Sequence, residues 1–342
     1  MGGSAARGFD CAGGQPEADV PRLAVLTSGG DAPGMNAATR AVVRCAIARG
    51  MEVVGFRHGY TGLIAGDCRA LGLRDVGGII HQGGTMLGTT RCGELKTSQG
   101  CERALAVLKA QEIAALVVIG GNGSQSGAFE LSRRGAPVIG VASTIDNDLY
   151  GTDVSLGATT AIDVALEAID RLRVTAGAMN RAFIVEVMGR GSGHIALYAG
   201  IAGGAEVVSI PEANIDPQTV AEQLRAAYAR GKSHAIVVVA EGASNNGDEL
   251  LRHFHEHHET LGFDVRMTKL GHVQRGGAPG VFDRMLGSVL GSAAVAAACE
   301  REFSVLIGMC GGQIRRTPLA EVAGRARPAD AQLLKLAQVL AA

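Results

Sequence analysis

One alternation runs through most of this 342-residue chain: a short apolar run, a glycine-rich turn, then a stretch with helical spacing. Residues 22–27 (RLAVLT) read as a strand, SGGDAPG as a turn, and residues 35–48 as a helix. A second strand at 114–119 (AALVVI) precedes GGNGSQSG and a helix from about Ala128. The third, at 137–141, runs into ASTIDNDLYG; the fourth, at 182–187, into MGRGSG and a helix to Ala202; the fifth, at 234–240, into EGAS. Strand, loop and helix in this order predict parallel βαβ units, because a parallel neighbour can be reached only by a crossover. In open α/β sheets ligands gather at the carboxyl ends of strands, and every loop just named sits at such an end. Ile162, Leu166, Ile169 and Leu172 carry helical spacing through residues 157–173 and open a new run of units, which places a boundary near residue 156. Residues 328–342 read as a terminal amphipathic helix.

Composition narrows the function classes. The formal net charge of −1 supplies no broad positive field for nucleic acid or a membrane surface. Seven scattered cysteines without a C-x-x-C pair predict a reducing compartment, with neither a disulfide frame nor a zinc site. Residues 1–20 lack an apolar signal core and read as a disordered extension, and no uninterrupted apolar run reaches the ~20 residues of a membrane span. The 50 glycines concentrate in the loops beside arginines, which points to small anions held in local pockets.

In SGGDAPGMN (residues 28–36) and GGNGS (residues 120–124), glycines after a strand let backbone N–H groups approach a phosphate at a helix N-terminus. Bare Gly120, Gly121 and Gly123 leave room for a polyphosphate, and Ser124 is expected to cap the following helix. TIDND (residues 144–148) puts two carboxylates two places apart, on one face if the backbone is extended. One could accept a substrate proton and the other could help hold Mg²⁺; an Asx-rich turn is the alternative. GGTMLGTTR ends in Arg91, whose fork matches phosphate oxygens. MGRGSG and LGHVQRGG, with Arg181 and Arg266, add an anion-binding set suited to a sugar phosphate. Gly231-Lys232-Ser233 is no P-loop: Ala226 stands where the first glycine is needed, and the segment precedes a strand. The histidine-rich run at 253–259 lacks H-E-x-x-H and reads as a solvated helix face.

Taken together, these motifs resemble the ATP-dependent 6-phosphofructokinase family of bacterial type, in the family's order from about Arg22 to Gly291. The resemblance implies two Rossmann-like three-layer α/β domains with mainly parallel sheets and an active site in the cleft between them. The expected division is an extension at 1–21, a nucleotide-binding domain at 22–156 plus about 273–325, and a sugar-phosphate domain at 157–272 plus the C-terminal helix. The implied reaction moves the γ-phosphoryl of ATP to the 1-hydroxyl of fructose 6-phosphate. Gly30, Arg91, Cys92, Gly121, Asn122, Gly123 and Ser124 would hold the nucleotide. Asp146 would be the base, with Thr144 and Asp148 positioning the transferring group and Mg²⁺, and Arg190 stabilising transition-state charge. Met188, Gly189, Glu241, His272 and Arg275 would hold the sugar phosphate, and Arg181 and Arg266 would reach it from a neighbouring subunit, implying a homotetramer with a dimer as the alternative. The implied location is the cytoplasm.

The match departs at three places. Asn122 stands where the family's GGDGS has an aspartate that serves Mg²⁺; an amide oxygen lacks that charge. Pyrophosphate-using relatives carry Asp at the Gly123 position and Lys at the Ser143 position, whereas ATP users have Gly at the latter, so Ser143 fits neither. Arg40, Arg44, Arg173, Glu206 and Lys232 match the family's effector site, but Leu73 and Gly78 replace two of its residues. A pyrophosphate-dependent enzyme and a weakly catalytic regulatory paralogue therefore stand beside the ATP-dependent reading, as does, more remotely, a kinase of NAD or lipid.

Overall fold

The computed structural model describes residues 21–257 and 262–341; residues 1–20 of the expected extension and the end of the histidine run lie outside them. In chain order the elements are β1 (Arg22–Ser28), α1 (Met35–Ile47), β2 (Glu52–Phe56), α2 (Gly59–Ala65), β3 (Cys68–Ala70), α3 (Ser98–Ala110), β4 (Ile113–Gly120), α4 (Asn122–Arg133) and β5 (Val138–Ala142). There follow α5 (Ala158–Met179), β6 (Arg181–Val187), α6 (His194–Ala202), β7 (Val207–Ser209), α7 (Pro217–Ala229), β8 (Ala235–Ala240), α8 (Gly247–Glu256) and β9 (Asp264–Lys269). The chain closes with α9 (Val281–Cys299), β10 (Val305–Cys310), β11 (Gln313–Pro318), α10 (Leu319–Val322) and α11 (Ala331–Leu340).

Two sheets result. The larger has the order β11-β10-β5-β4-β1-β2-β3, parallel except for its two antiparallel edge pairs. The smaller, β7-β8-β6-β9, is parallel throughout. The central strands are apolar along both faces, as parallel strands sandwiched between helices must be: β8 (AIVVVA) is buried at every position, and β1 at all but its first. The antiparallel edges escaped sequence reading because β3 and β11 alternate with polar residues and sit at the rim.

Helix α9 is long and apolar enough to cross a membrane by length and composition, but half of that window is buried inside the protein. The reason is packing: at Gly287 and Gly291 a Cβ would lie 2.9 and 2.6 Å from the backbone oxygens of Gly34 and Ala38, so α1 and α9 touch almost backbone to backbone. Asp283, fully buried in the first turn of α9, accepts hydrogen bonds from Gly157 N (2.8 Å), Thr160 N (2.8 Å) and Thr160 Oγ1 (2.6 Å). It thereby closes the N-terminus of α5, whose own N-cap, Gly157, offers no side chain.

Three local expectations are corrected. The helix after β4 begins at Asn122 and not near Ala128, because Gly121 already serves as its N-cap. Ser124 consequently lies inside the first turn as a buried residue and makes no capping bond. The TIDND segment is a turn, with Asn147 left-handed at φ 48°, so its carboxylates do not share an extended face.

Candidate active site

The two glycine turns meet. Gly120 ends β4 where a Cβ would fall 2.6 Å from both Ser124 Oγ and the Ser28 carbonyl oxygen, so only glycine allows β1 and β4 to deliver their loops side by side. Tyr60, buried beneath them, donates its hydroxyl to the Ser124 carbonyl at 2.6 Å. The GTTR loop is stapled on from the other side, with Thr89 Oγ1 donating to Gly29 O (2.8 Å) and Thr27 Oγ1 to Gly88 O (2.9 Å). Together they wall a cleft of about 830 Å³. Its lining includes Gly30, Arg91, Cys92, Gly121, Asn122, Gly123 and Ser124, and also Thr144, Asp146, Asp148 and Arg275. Because the N-cap of α4 has no side chain, the first N–H groups of that helix lack a capping partner, and the positive end of its dipole is aimed at whatever fills the cleft. Beside Gly123 a Cβ would meet nothing within 4 Å, so there is open space for bulk.

Asp146 is the electrostatic centre. Burial first, then the Asp148 charge, push its pKa up to about 6, against the pull of Arg275 and Arg190; Glu241 adds to the rise. Its neighbour Asp148 is also raised, by burial, and held back by its own backbone N–H and the Asn122 amide. Asn147 is the hub that sequence reading missed. Its Oδ1 accepts from Ser155 N (2.7 Å) and Ser155 Oγ (3.0 Å), while its Nδ2 donates to Asp153 O (3.1 Å). Ser155 Oγ also donates to Thr144 O at 2.6 Å. The only hint of this hub was the Asx-rich composition of the turn. Ser192, likewise unnoticed, donates to the Asp146 carbonyl at 2.8 Å and ties the loop after β6 to it.

The residues expected to hold the sugar phosphate stand at the carboxyl ends of the smaller sheet. Met188 N donates to the buried Gln274 Oε1 (2.7 Å), Glu241 N to Val187 O (2.9 Å) and Gly242 N to Gly189 O (3.1 Å), so the loops bearing Arg190, Glu241 and His272 are tied together. Arg275, expected on the sugar phosphate, lies across Gly30 and donates from Nη1 to Asp31 O at 2.8 Å, so in this structure it lines the cleft beside the first glycine turn. Arg181 and Arg266 are not brought to this cleft: they stand near the starts of β6 and β9, where both pair with Asp264 (3.2 and 3.0 Å). Of the effector-type residues, Arg40 and Arg44 stand on α1, Lys232 pairs with the buried Glu206 at 2.9 Å, and Arg173 Nη2 is buried without a hydrogen-bond partner.

Mg²⁺ typically binds through one or two carboxylates plus substrate phosphates and keeps several waters. Asp148 and the Asn122 amide oxygen fit that donor set: Asn122 Nδ2 faces the Asp148 carbonyl at 3.5 Å, leaving Oδ1 as the free end of the amide. Among the described residues no group of three or more His, Cys, Asp or Glu forms a ready-made metal cage.

Residues 22–298 match the family model for phosphofructokinase. An ATP-dependent 6-phosphofructokinase 1 from Thermus thermophilus is 52% identical over 324 residues, 94% of this chain and 100% of that protein. An ATP-dependent 6-phosphofructokinase from Listeria monocytogenes is 45% identical over 321 residues, 94% of this chain and 99% of that one. Among solved structures, Pichia pastoris phosphofructokinase in the T-state superimposes with a TM-score of 0.85 at 36% identity; the alignment covers 96% of this chain and spans 37% of the yeast chain.

Proposed function

The chain belongs to the phosphofructokinase family, and from that premise we propose how its cleft carries out the transfer. It is an ATP-dependent 6-phosphofructokinase, moving the γ-phosphoryl of ATP to fructose 6-phosphate in glycolysis. The observation that carries the mechanism is the meeting of both glycine turns with Asp146 in one cleft.

The triphosphate lies along Gly30 and the N-terminus of α4, where backbone N–H groups and the helix dipole offset its charge. Arg91 and Cys92 flank the nucleotide. Fructose 6-phosphate enters from the side of Met188, Gly189, Glu241 and His272, and its 1-hydroxyl approaches Asp146. With a pKa near 6, that carboxyl is ionised at neutral pH yet basic enough to accept the hydroxyl proton as the phosphoryl group departs. Thr144 orients the transferring group, and Arg190 and Arg275 face the charge on its equatorial oxygens. Phosphoryl transfer needs alignment and cations more than covalent help. Asp148 and Asn122 would hold Mg²⁺, which would supply positive charge to offset the phosphate oxygens. Arg181 and Arg266, absent from the cleft lining and paired with Asp264, are assigned to a neighbouring subunit's sugar phosphate in a homotetramer, and the enzyme to the cytoplasm, from the family resemblance.

Offering purified protein fructose 6-phosphate and Mg²⁺ with ATP, ADP or pyrophosphate tests the donor. Bisphosphate should form with ATP and at least tenfold more slowly with the others. Ser143, whose hydroxyl is buried against the Leu156 carbonyl at 3.4 Å, adds no cation to replace the nucleotide's contacts. Faster turnover with pyrophosphate would overturn the donor assignment; ligand binding without product would favour the regulatory paralogue.

Asn122→Asp restores a charge at the mouth of the metal site. The Mg²⁺ concentration for half-maximal rate should fall severalfold in this variant, with the KM for fructose 6-phosphate unchanged. An unchanged Mg²⁺ curve would show that the amide already suffices.

A further inference from the structure

The segment between α10 and α11 crosses the outside of the loop that carries the two catalytic-site carboxylates, and it is bonded there along its length. Arg325 places its guanidinium 3.8 Å over the Tyr150 ring. Ala326 forms an antiparallel bridge with Leu149. The backbone N–H of Arg327 donates to the Asp148 carbonyl at 2.7 Å. Its side chain folds onto the same loop, with Nη1 donating to Thr152 O (3.2 Å) and to Asp153 O. Two residues on, Ala329 N donates to Glu212 Oε1 at 3.2 Å, and the same Glu212 carboxylate accepts from Gly193 N at 3.0 Å.

These contacts converge on the part of the loop that matters. The Asp153 carbonyl used by Arg327 is also the acceptor of Asn147 Nδ2, and Asn147 lies between Asp146 and Asp148 with a left-handed backbone. A non-glycine residue in that conformation persists only where its surroundings hold it. Arg327 thus grips both ends of the turn: its N–H fixes the carbonyl of Asp148, and its guanidinium fixes the carbonyl that anchors Asn147. Glu212 then links the segment to residues 189–193, the loop that carries Arg190. None of these groups touches the cleft lining except through the residues they hold.

We propose that Arg327 is a positioning residue for the Asp146–Asp148 turn, and that residues 325–329 brace this turn and the Arg190 loop against each other. This rests on the reading of Asp146 as the base, and its test is chosen so that the two can fail separately. A positioning residue acts on alignment, so its loss should fall on turnover more than on binding; misplacement by about 1 Å costs up to ~10²-fold. In Arg327→Ala, kcat should drop about 10- to 100-fold while the KM for fructose 6-phosphate stays within about threefold. Hydrogen exchange of amides in residues 144–155 should speed up at least tenfold in the same variant, with β1, β4 and β8 unaltered and the thermal midpoint lowered by no more than about 3 °C.

Arg327→Lys, which keeps a donor able to reach one of the two carbonyls, should recover part of both the rate and the protection. Should the alanine variant fail to fold, the lysine variant decides, with an intermediate kcat and intermediate protection expected. Wild-type kcat in Arg327→Ala, or unaltered exchange in residues 144–155, would overturn the brace. So would a loss of rate matched by exchange rising through both sheets. If instead exchange rises as expected while Asp146→Asn proves fully active, the brace stands and the assignment of the base falls.

Discussion

Asp146→Asn should lower kcat by ~10²–10⁴ while leaving substrate affinities within a few-fold, because it removes a general base and almost no volume. The amide cannot take the hydroxyl proton, but the glycine turns and arginines still bind and align both substrates. The wild-type pH profile is the companion measurement. With a pKa of about 6, the carboxyl protonates as pH falls through 6, so kcat/KM should decline tenfold per unit below that point. The residual rate of the asparagine variant should lack that limb. Stability runs the other way. The folded-state pKa lies above the unfolded value of about 3.9, so the folded protein disfavours the ionised carboxyl. That cost is absent below about pH 4 and complete above about pH 6. Asp146→Asn should therefore be more stable than wild type by about 1–2 kcal/mol at pH 8, after discounting for partial solvation, with no gain at pH 4. Near-normal turnover in Asp146→Asn would mean that another group takes the proton.

Asp283→Ala should be the most damaging change to stability, at about 3–5 kcal/mol. Three donors, at Gly157 N, Thr160 N and Thr160 Oγ1, lose their acceptor at a completely buried site, and a cavity opens where α9 meets the start of α5. Helix α5 leads from the larger sheet to the smaller, so loosening its first turn loosens the joint between the two sheets. The thermal midpoint should fall by about 5–10 °C. Asp283→Asn keeps one acceptor oxygen and should lose about half as much. A shift of under 1 kcal/mol in the alanine variant would mean that water replaces the carboxylate without cost.

The parallel strands were legible because burial on both faces leaves a near-continuous apolar run, and the glycine turns because a missing Cβ is written directly in the sequence. The same glycines led to the cleft that Gly30 and Gly121 line together with Asp146. What sequence could not carry were relations between distant residues. Asn147 looks like any turn asparagine until Ser155 and Asp153 close around it. The motif places Arg275 with the sugar-phosphate residues, and its contact with Gly30 and the Asp31 carbonyl, far away in the chain, is not written in the sequence. Arg327 and Glu212 have no local signature, since their partners are loop carbonyls and backbone N–H groups far away in the chain. Ser124 misled because a serine after glycines resembles a cap, whereas Gly121 had already taken that position.

The central claim is that a polyphosphate on the two glycine turns and a sugar ester on the smaller sheet meet at Asp146. A crystal structure of the Asp146→Asn protein with Mg²⁺, a non-hydrolysable ATP analogue and fructose 6-phosphate tests this most directly. The account predicts the sugar 1-hydroxyl within about 3.2 Å of the residue 146 side chain, with the triphosphate against Gly30 and the first turn of α4. A nucleotide seated away from those turns, or a 1-hydroxyl facing away from residue 146, would contradict it.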